Sequence, residues 1–231
     1  MKNIFLVDAD DTLLDFHGAS ALAIRSAFKR FNVRWEDRFL TVFKEINDGL
    51  WEALERKELT RAELIEKRFP LYLNTLGMSH IDGAQFNEQY LHALATNPIY
   101  MQGAESFLHT LQSMGKIYIV TNGTQWIQQS RFDICGLWSY AEKAFISQVV
   151  GADKPSPIYT QYVVDNIECF NRENAIWIGD SLSADIRAAN EANITSVWFN
   201  PHKKPLSSVA TPTYIVNDFT EILTILKKIN G

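Results

Sequence analysis

Cysteine is scarce, with two residues in 231, Cys135 and Cys169. Their spacing suits neither a zinc site nor a disulfide framework, so both read as small core residues in a reducing compartment. No stretch approaches the roughly 20 apolar residues of a membrane span. The opening apolar run, Ile4 to Val7, is too short for a signal-peptide core. Lysine and arginine form no cluster, and a formal charge of −5 offers little to a nucleic-acid backbone. Internal repeats and low-complexity segments are also missing. These absences leave a cytoplasmic protein with neither a membrane nor a nucleic-acid polymer as partner.

What is present is core material. The hydrophobic share is 46% and the aromatic share 12%, enough for one large domain or one domain with an insertion. Two textures divide the chain. Residues 17 to about 95 carry helical periodicity and almost no strand signal. Ala21, Leu22, Ile24, Ala27 and Phe28 form one apolar stripe. Phe39, Val42, Phe43, Ile46, Leu50, Trp51 and Leu54 form a second, and Phe86, Tyr90, Leu91 and Leu94 a third. Thr60 followed by Glu63 fits a capping box.

From Pro98 onward short apolar runs alternate with helical segments. Helices are expected over Glu105–Met114, closed by Gly115, and over Gln125–Cys135, closed by Gly136. Further helices are expected over Ile158–Ile167, Asp185–Ala192 and Phe219–Ile229. Strands are expected over Ile4–Val7, Lys116–Val120, Ala144–Ser147, Ala175–Ile178, Ser196–Phe199 and Thr213–Val216. This alternation predicts an α/β fold with a doubly wound parallel sheet, built from residues 1–15 and 97–231. Residues 16–96 read as an all-helical insertion, joined near Asp15–Gly18 and Ala95–Pro98.

Polar residues collect where the strands end. Asp8 and Asp10 follow the first strand, with Asp11 next to them. Closely spaced carboxylates repel, and a hard divalent cation such as Mg²⁺ relieves that repulsion. An Asp-rich turn is the plainer alternative. Thr121 and Asn122 end the second strand and open a helix, as an anion site or as an ordinary turn. Lys154 precedes Pro155, and Asp180 stands five residues before Asp185. Taken singly these are a loop charge, a helix cap and a first-turn acid. In a parallel doubly wound sheet, however, all strand carboxyl ends share one edge. Four such groups would then converge on one crevice, the acids suited to a cation and the lysine to an oxyanion beside it.

The set resembles the haloacid dehalogenase-like superfamily of aspartyl-phosphate hydrolases. The matching pieces are Phe5 to Asp15 (Phe-Leu-Val-Asp-Ala-Asp-Asp-Thr-Leu-Leu-Asp), Ile119 to Gly123, Lys154-Pro155, and Ile178 to Ser181 with Asp185. Asp11 stands where many members have glycine. The resemblance implies a Rossmann-like core, with residues 16–96 as a helical cap. It implies Asp8 as nucleophile and Asp10 as general acid and then base. It places Mg²⁺ on the Asp8 carboxylate, the Asp10 carbonyl and Asp180, with Asp185 orienting metal-bound waters or Lys154. Thr121, Asn122 and Lys154 would hold the phosphoryl oxygens.

Looser features are similar to the pyrimidine 5′-nucleotidase branch. They are Asn47 to Glu52, Leu59-Thr60 to Arg68-Phe69, Thr121-Asn-Gly with Gln128 and Arg131, and Trp198 to Pro201. The implied substrate is a small phosphate monoester, most simply a nucleoside 5′-monophosphate, and the implied assembly a monomer or homodimer. Phe16, His17 and Trp51 would supply an aromatic platform for the base, or else pack in a core, the second reading applying also to Trp126. A sugar phosphatase or phosphomutase shares every core motif. A receiver-like signalling module also sets acids, a threonine and a lysine at strand ends, but has no use for the helical insertion, which a hydrolase closes over its substrate.

Overall fold

Ile4 to Val7 have no polar partner alternating with them, as a strand buried on both faces requires. They form β1 (Asn3–Val7), the inner strand of a six-stranded parallel sheet. The computed structural model describes residues 3–230. β1 pairs on one side with β2 (Gly115–Thr121) and on the other with β4 (Ala175–Gly179). Outside them lie β3 (Ala141–Ile146), β5 (Thr195–Phe199) and β6 (Tyr214–Val216), giving the order β3-β2-β1-β4-β5-β6. The chain winds outward from β1 through β2 and β3, then crosses back to β4. The ends of β1 and β4 therefore flank the point where the winding reverses, the place where such sheets open a crevice.

Successive side chains of β1 feed opposite layers. Phe5 and Val7 pack with Phe107, Leu108 and Leu111 of α5 (Ala104–Met114), Phe132 of α6 (Gln125–Cys135), and Ile222 and Leu226 of α10 (Phe219–Asn230). Ile4 and Leu6 face Tyr159 and Val163 of α8 (Pro157–Asp165), and Ala188 and Ala189 of α9 (Arg187–Glu191). These are the two helical layers of a doubly wound sheet.

By contact the chain divides into two units: residues up to Phe16 together with those from Ile99 onward, and His17–Pro98. The second unit is helical, carrying α1 (Phe16–Arg30), whose first residue belongs to the other unit, α2 (Arg38–Glu55), α3 (Arg61–Thr75) and α4 (Gly83–Thr96). Its interior is an aromatic cluster of Phe28, Phe39, Phe43, Phe69, Tyr72, Phe86 and Tyr90. Arg68 is buried against the Phe69 and Tyr90 rings and donates to the side-chain carbonyls of Asn47 and Asn87. The capping box forms in full, with Glu63 accepting from the Thr60 backbone. Among the described residues no helix is long and apolar enough to cross a membrane.

Several local expectations need correction. Leu22 of the first stripe is exposed, and the buried face of α1 runs through Ala19, Ser20, Ala23, Ile24, Ala27 and Phe28 instead. Gly115 does not close a helix by left-handed backbone, since its φ is 179°. It opens β2 opposite Asn3, where a Cβ would overlap the Asn3 carbonyl oxygen and stand 2.8 Å from a Phe5 ring carbon. β3 begins three residues earlier than expected, at Ala141, and Ser147 opens the single turn α7 (Ser147–Val150). Helix follows β4 sooner too, in a wide π turn over Leu182–Ile186 that contains Asp185. Ser181, not Asp180, caps it, accepting from the Ala184 N–H at 3.1 Å. Cys169 is exposed and Cys135 half-buried, so neither is a fully buried core residue.

The two kinds of glycine should respond oppositely to alanine. Gly115→Ala should lower unfolding free energy by about 1–3 kcal/mol through overpacking. Gly49, inside α2 with open space around it, should gain about 0.5–1 kcal/mol on the same change. Urea titrations of both variants, with unchanged m-values, check the pair.

Candidate active site

β1 ends where its ladder does, with the Asp8 N–H still donating to the Ile178 carbonyl at 2.9 Å. Asp8 is thereby fixed at the sheet's carboxyl edge and is 5% exposed. Lys154, from the loop after α7, donates to Asp8 Oδ1 at 2.6 Å, to Asp185 Oδ1 at 2.7 Å and to the Val120 carbonyl at 2.8 Å. One ammonium thus uses its three protons on three segments. Thr12 Oγ1 donates to Asp8 Oδ2 at 3.0 Å. Burial pushes the Asp8 carboxyl well above the ordinary aspartate range; Lys154 opposes this, while Asp185 and Asp180 add repulsion. Burial alone would lower the Lys154 ammonium, but Asp185 and Asp8 outweigh it and hold the group above the usual lysine range.

The turn after β1 reverses sharply. Asp11 takes φ 59°, the left-handed conformation that glycine adopts most easily. Its side chain anchors the turn by accepting from the Phe16 N–H at 3.1 Å. Aspartate tolerates this backbone better than most residues because its short carboxylate bonds locally.

Asp10 turns toward α6. Its Oδ1 accepts from Arg131 Nη1 at 2.6 Å and its Oδ2 from Gln128 Nε2 at 2.8 Å. Gln128 also donates to Thr121 Oγ1 at 2.8 Å, leaving that hydroxyl's own proton available to another acceptor. Asn122 brackets the lysine loop: its side chain donates to the Lys154 carbonyl at 2.9 Å and accepts from the Lys154 N–H at 2.8 Å. That amide therefore positions Lys154 by its backbone.

Asp180 follows β4. Its carbonyl accepts from Trp198 Nε1 at 2.7 Å, and its carboxylate meets Lys204 at 3.1 Å. Burial raises its pKa to about 6, with Lys204 partly opposing the rise. Asp185 reaches back over Gly179, where a Cβ would lie 2.6 Å from the Asp185 Cβ. Carboxylate oxygens of Asp8, Asp180 and Asp185 lie within 4.8 Å of one another. Three hard oxygen donors this close, with Lys154 shared between two of them, form a donor set of the kind that binds a small divalent cation.

Asp8, Asp185, Asn122 and Lys154 thus meet through direct hydrogen bonds, Gln128 joins Asp10 to Thr121, and Asp180 brings a carboxylate oxygen within 4.8 Å of those of Asp8 and Asp185. Phe16 is half-buried, and the exposed His17 belongs to the helical unit. Trp51 is half-buried in α2 with the Arg61 guanidinium 5.4 Å from its ring. Trp126 is 48% exposed on α6, so the packing reading fails there. Sequence reasoning missed Lys204, and matched Thr12, Gln128 and Arg131 without a role. The signal for the last two was their spacing of three on the helix opened by Thr121-Asn-Gly.

The family model for haloacid dehalogenase-like hydrolases matches residues 2–193. The chain is a haloacid dehalogenase-like hydrolase. HAD-hydrolase YfnB of Bacillus subtilis is 36% identical over 221 residues, covering 96% of this chain and 94% of that protein. A crystal structure of YfnB bound to magnesium aligns with a TM-score of 0.93 over 97% of this chain and 98% of the other. The pyrimidine 5′-nucleotidase PynA of Streptococcus pneumoniae is 33% identical, with 96% of this chain and 94% of PynA covered. The pyrimidine 5′-nucleotidase YjjG of Escherichia coli is 27% identical over 96% of each chain. The parallel sheet and its two helical layers are those of the haloacid dehalogenase-like core, and the chain is an enzyme.

Lys154 carries the charge balance of this region. Lys154→Met should cost about 3–5 kcal/mol by leaving Asp8 and Asp185 buried without their shared cation. Adding Asp185→Asn should recover part of that loss. Equilibrium denaturation of wild type, single and double variants measures both.

Proposed function

We propose that this enzyme is a Mg²⁺-dependent phosphomonoester hydrolase acting on nucleoside 5′-monophosphates through an aspartyl-phosphate on Asp8. The observation that carries the reading is the buried Asp8 carboxylate, gripped by Lys154 and Thr12, with Asp10 two residues beyond it at the crevice edge. The nucleotide is supported by similarity to PynA and YjjG over nearly the full chain.

An Asp8 oxygen attacks phosphorus as the ester P–O bond breaks, and the Asp10 carboxylic acid gives its proton to the departing alcohol. Water then attacks the same phosphorus while Asp10 takes a proton from it. The bond to Asp8 breaks, phosphate leaves, and both aspartates return to their starting forms. Thr121 donates its free proton to a phosphoryl oxygen, the Asn122 backbone completes that anion site, and Lys154, its protons held by Asp8, Val120 and Asp185, contributes its positive charge. The Asp8 and Asp180 carboxylates and the Asp10 main-chain carbonyl would hold Mg²⁺, whose charge, when bound, offsets that of nucleophile and phosphate together. Asp185 restrains Lys154 and, with the ion bound, would orient water beside it. We assign residues 16–96 the part of a cap that selects the leaving group, with Phe16, His17 and Trp51 as its aromatic contribution, and residues 1–15 and 97–231 the part of the α/β core. Both cysteines are free, in keeping with a reducing cytoplasm.

Asp8→Asn should abolish turnover with the thermal midpoint largely retained, and full activity in that variant would remove Asp8 from the nucleophile's part. Asp10→Asn should reduce kcat roughly 10²–10⁴-fold. Chelation should remove activity and Mg²⁺ restore it. Phosphate release from a panel of nucleoside monophosphates and sugar phosphates tests the substrate class; preference for a sugar phosphate, or isomer formation without phosphate release, contradicts the reading.

A further inference from the structure

Arg131, the one cation on α6, is 1% exposed, and its only ionic partner among the described residues is Asp10. Its Nη1 reaches Asp10 Oδ1 at 2.6 Å and Gln128 Oε1 at 2.8 Å, while Nε and Nη2 have no hydrogen-bond partner among the described residues. A guanidinium taken out of water costs several kcal/mol, which one ion pair offsets only with good geometry. Apolar packing would serve the core better at that position. The arrangement is therefore explained by what it does to Asp10.

Gln128 completes the arrangement. It is 1% exposed, donates to Asp10 Oδ2 and to Thr121 Oγ1, and accepts from Arg131. Its amide lies against Gly123, where a Cβ would stand 2.8 Å from Nε2, so only glycine there lets the amide settle. Asp10 itself is 28% exposed at its side chain and comes from a turn, not from a strand or helix. Both of its oxygens are nevertheless held from one side by a helix, and each keeps a second lone-pair direction.

We propose that Arg131 and Gln128 are positioning residues that clamp the Asp10 carboxyl in the orientation from which it exchanges a proton with the ester oxygen and with water. Gln128 also ties that orientation to Thr121, so proton transfer and phosphoryl binding share one amide. This rests on the hydrolase reading above, in which Asp10 is the acid and base. The proton inventory is unchanged: Asp10 gives one to the leaving oxygen as the P–O bond breaks and regains one from water. Neither Arg131 nor Gln128 changes its protonation.

The test exploits the leaving group. For kcat/KM, which reports steps through aspartyl-phosphate formation, an alkyl ester such as a nucleoside monophosphate needs its leaving oxygen protonated, whereas p-nitrophenolate departs without help. Arg131→Lys and Gln128→Met should lower kcat/KM for the nucleotide at least tenfold more than for p-nitrophenyl phosphate. In an Asp10→Asn background that difference between substrates should vanish, because the clamp has nothing left to orient. Equal losses on both substrates, or a difference that persists in the Asp10→Asn background, would overturn the clamp. Should the lysine variant not fold, Gln128→Met carries the test, since it exchanges a neutral amide for a side chain of similar volume. If Asp10→Asn discriminates between the esters and the clamp variants do not, the inference fails while the hydrolase reading stands. If wild type hydrolyses neither ester, both fail together.

Discussion

A single buried ammonium holds the site together. Lys154 contacts the end of β1 through Asp8, the end of β2 through the Val120 carbonyl, and the segment after β4 through Asp185. All three distances are short, and the side chain is 2% exposed. In so dry a setting an unpartnered charge is far more costly than at the surface. The loop bearing Lys154 therefore has one low-energy arrangement, and Asn122 enforces it from the backbone side. Two carboxylates share one cation, so the region keeps negative charge in excess. That imbalance, rather than any single residue, is what the proposed divalent metal would answer.

Close backbone approach lets these side chains meet. Gly179 allows Asp185 to fold back across the end of β4, and Gly123 allows Gln128 to lie across the turn that follows β2. Each glycine stands just where a strand gives way to polar residues. The sheet supplies direction, bringing every carboxyl end to one edge, and the glycines supply the last ångström. The order β3-β2-β1-β4-β5-β6 puts Asp8 and Asp180 just past the ends of adjacent strands at the reversal of winding, so the charged groups need no long reach.

Much of this is legible in the residues themselves. Uninterrupted apolar runs mark the strands, and polar residues at their ends mark the crevice, because both depend on local pattern. Gly115 escapes such a reading because its reason for being glycine is a carbonyl on another strand, invisible to any window around it. Asp11 reads as a departure from the usual glycine; its side chain anchors the left-handed turn that a glycine would form by default. The grip of Arg131 and Gln128 on Asp10 joins parts of the chain more than a hundred residues apart. No periodicity reports such a bond, although the helical spacing of the two donors is plain. Lys204 lies in a loop with no pattern to announce it.

The inner position of β1 also bears on biosynthesis. Its neighbours begin at Gly115 and Ala175, so the segment carrying Asp8 leaves the ribosome long before either edge of it can be paired. Through that interval Ile4 to Val7 form a bare, β-prone stretch of the type that recruits other nascent chains. The helical unit, whose contacts are closer in sequence, can be complete first. Among the strands described, β1 thus waits longest between synthesis and pairing, and yield in a cell should depend on whatever shields that segment while translation proceeds.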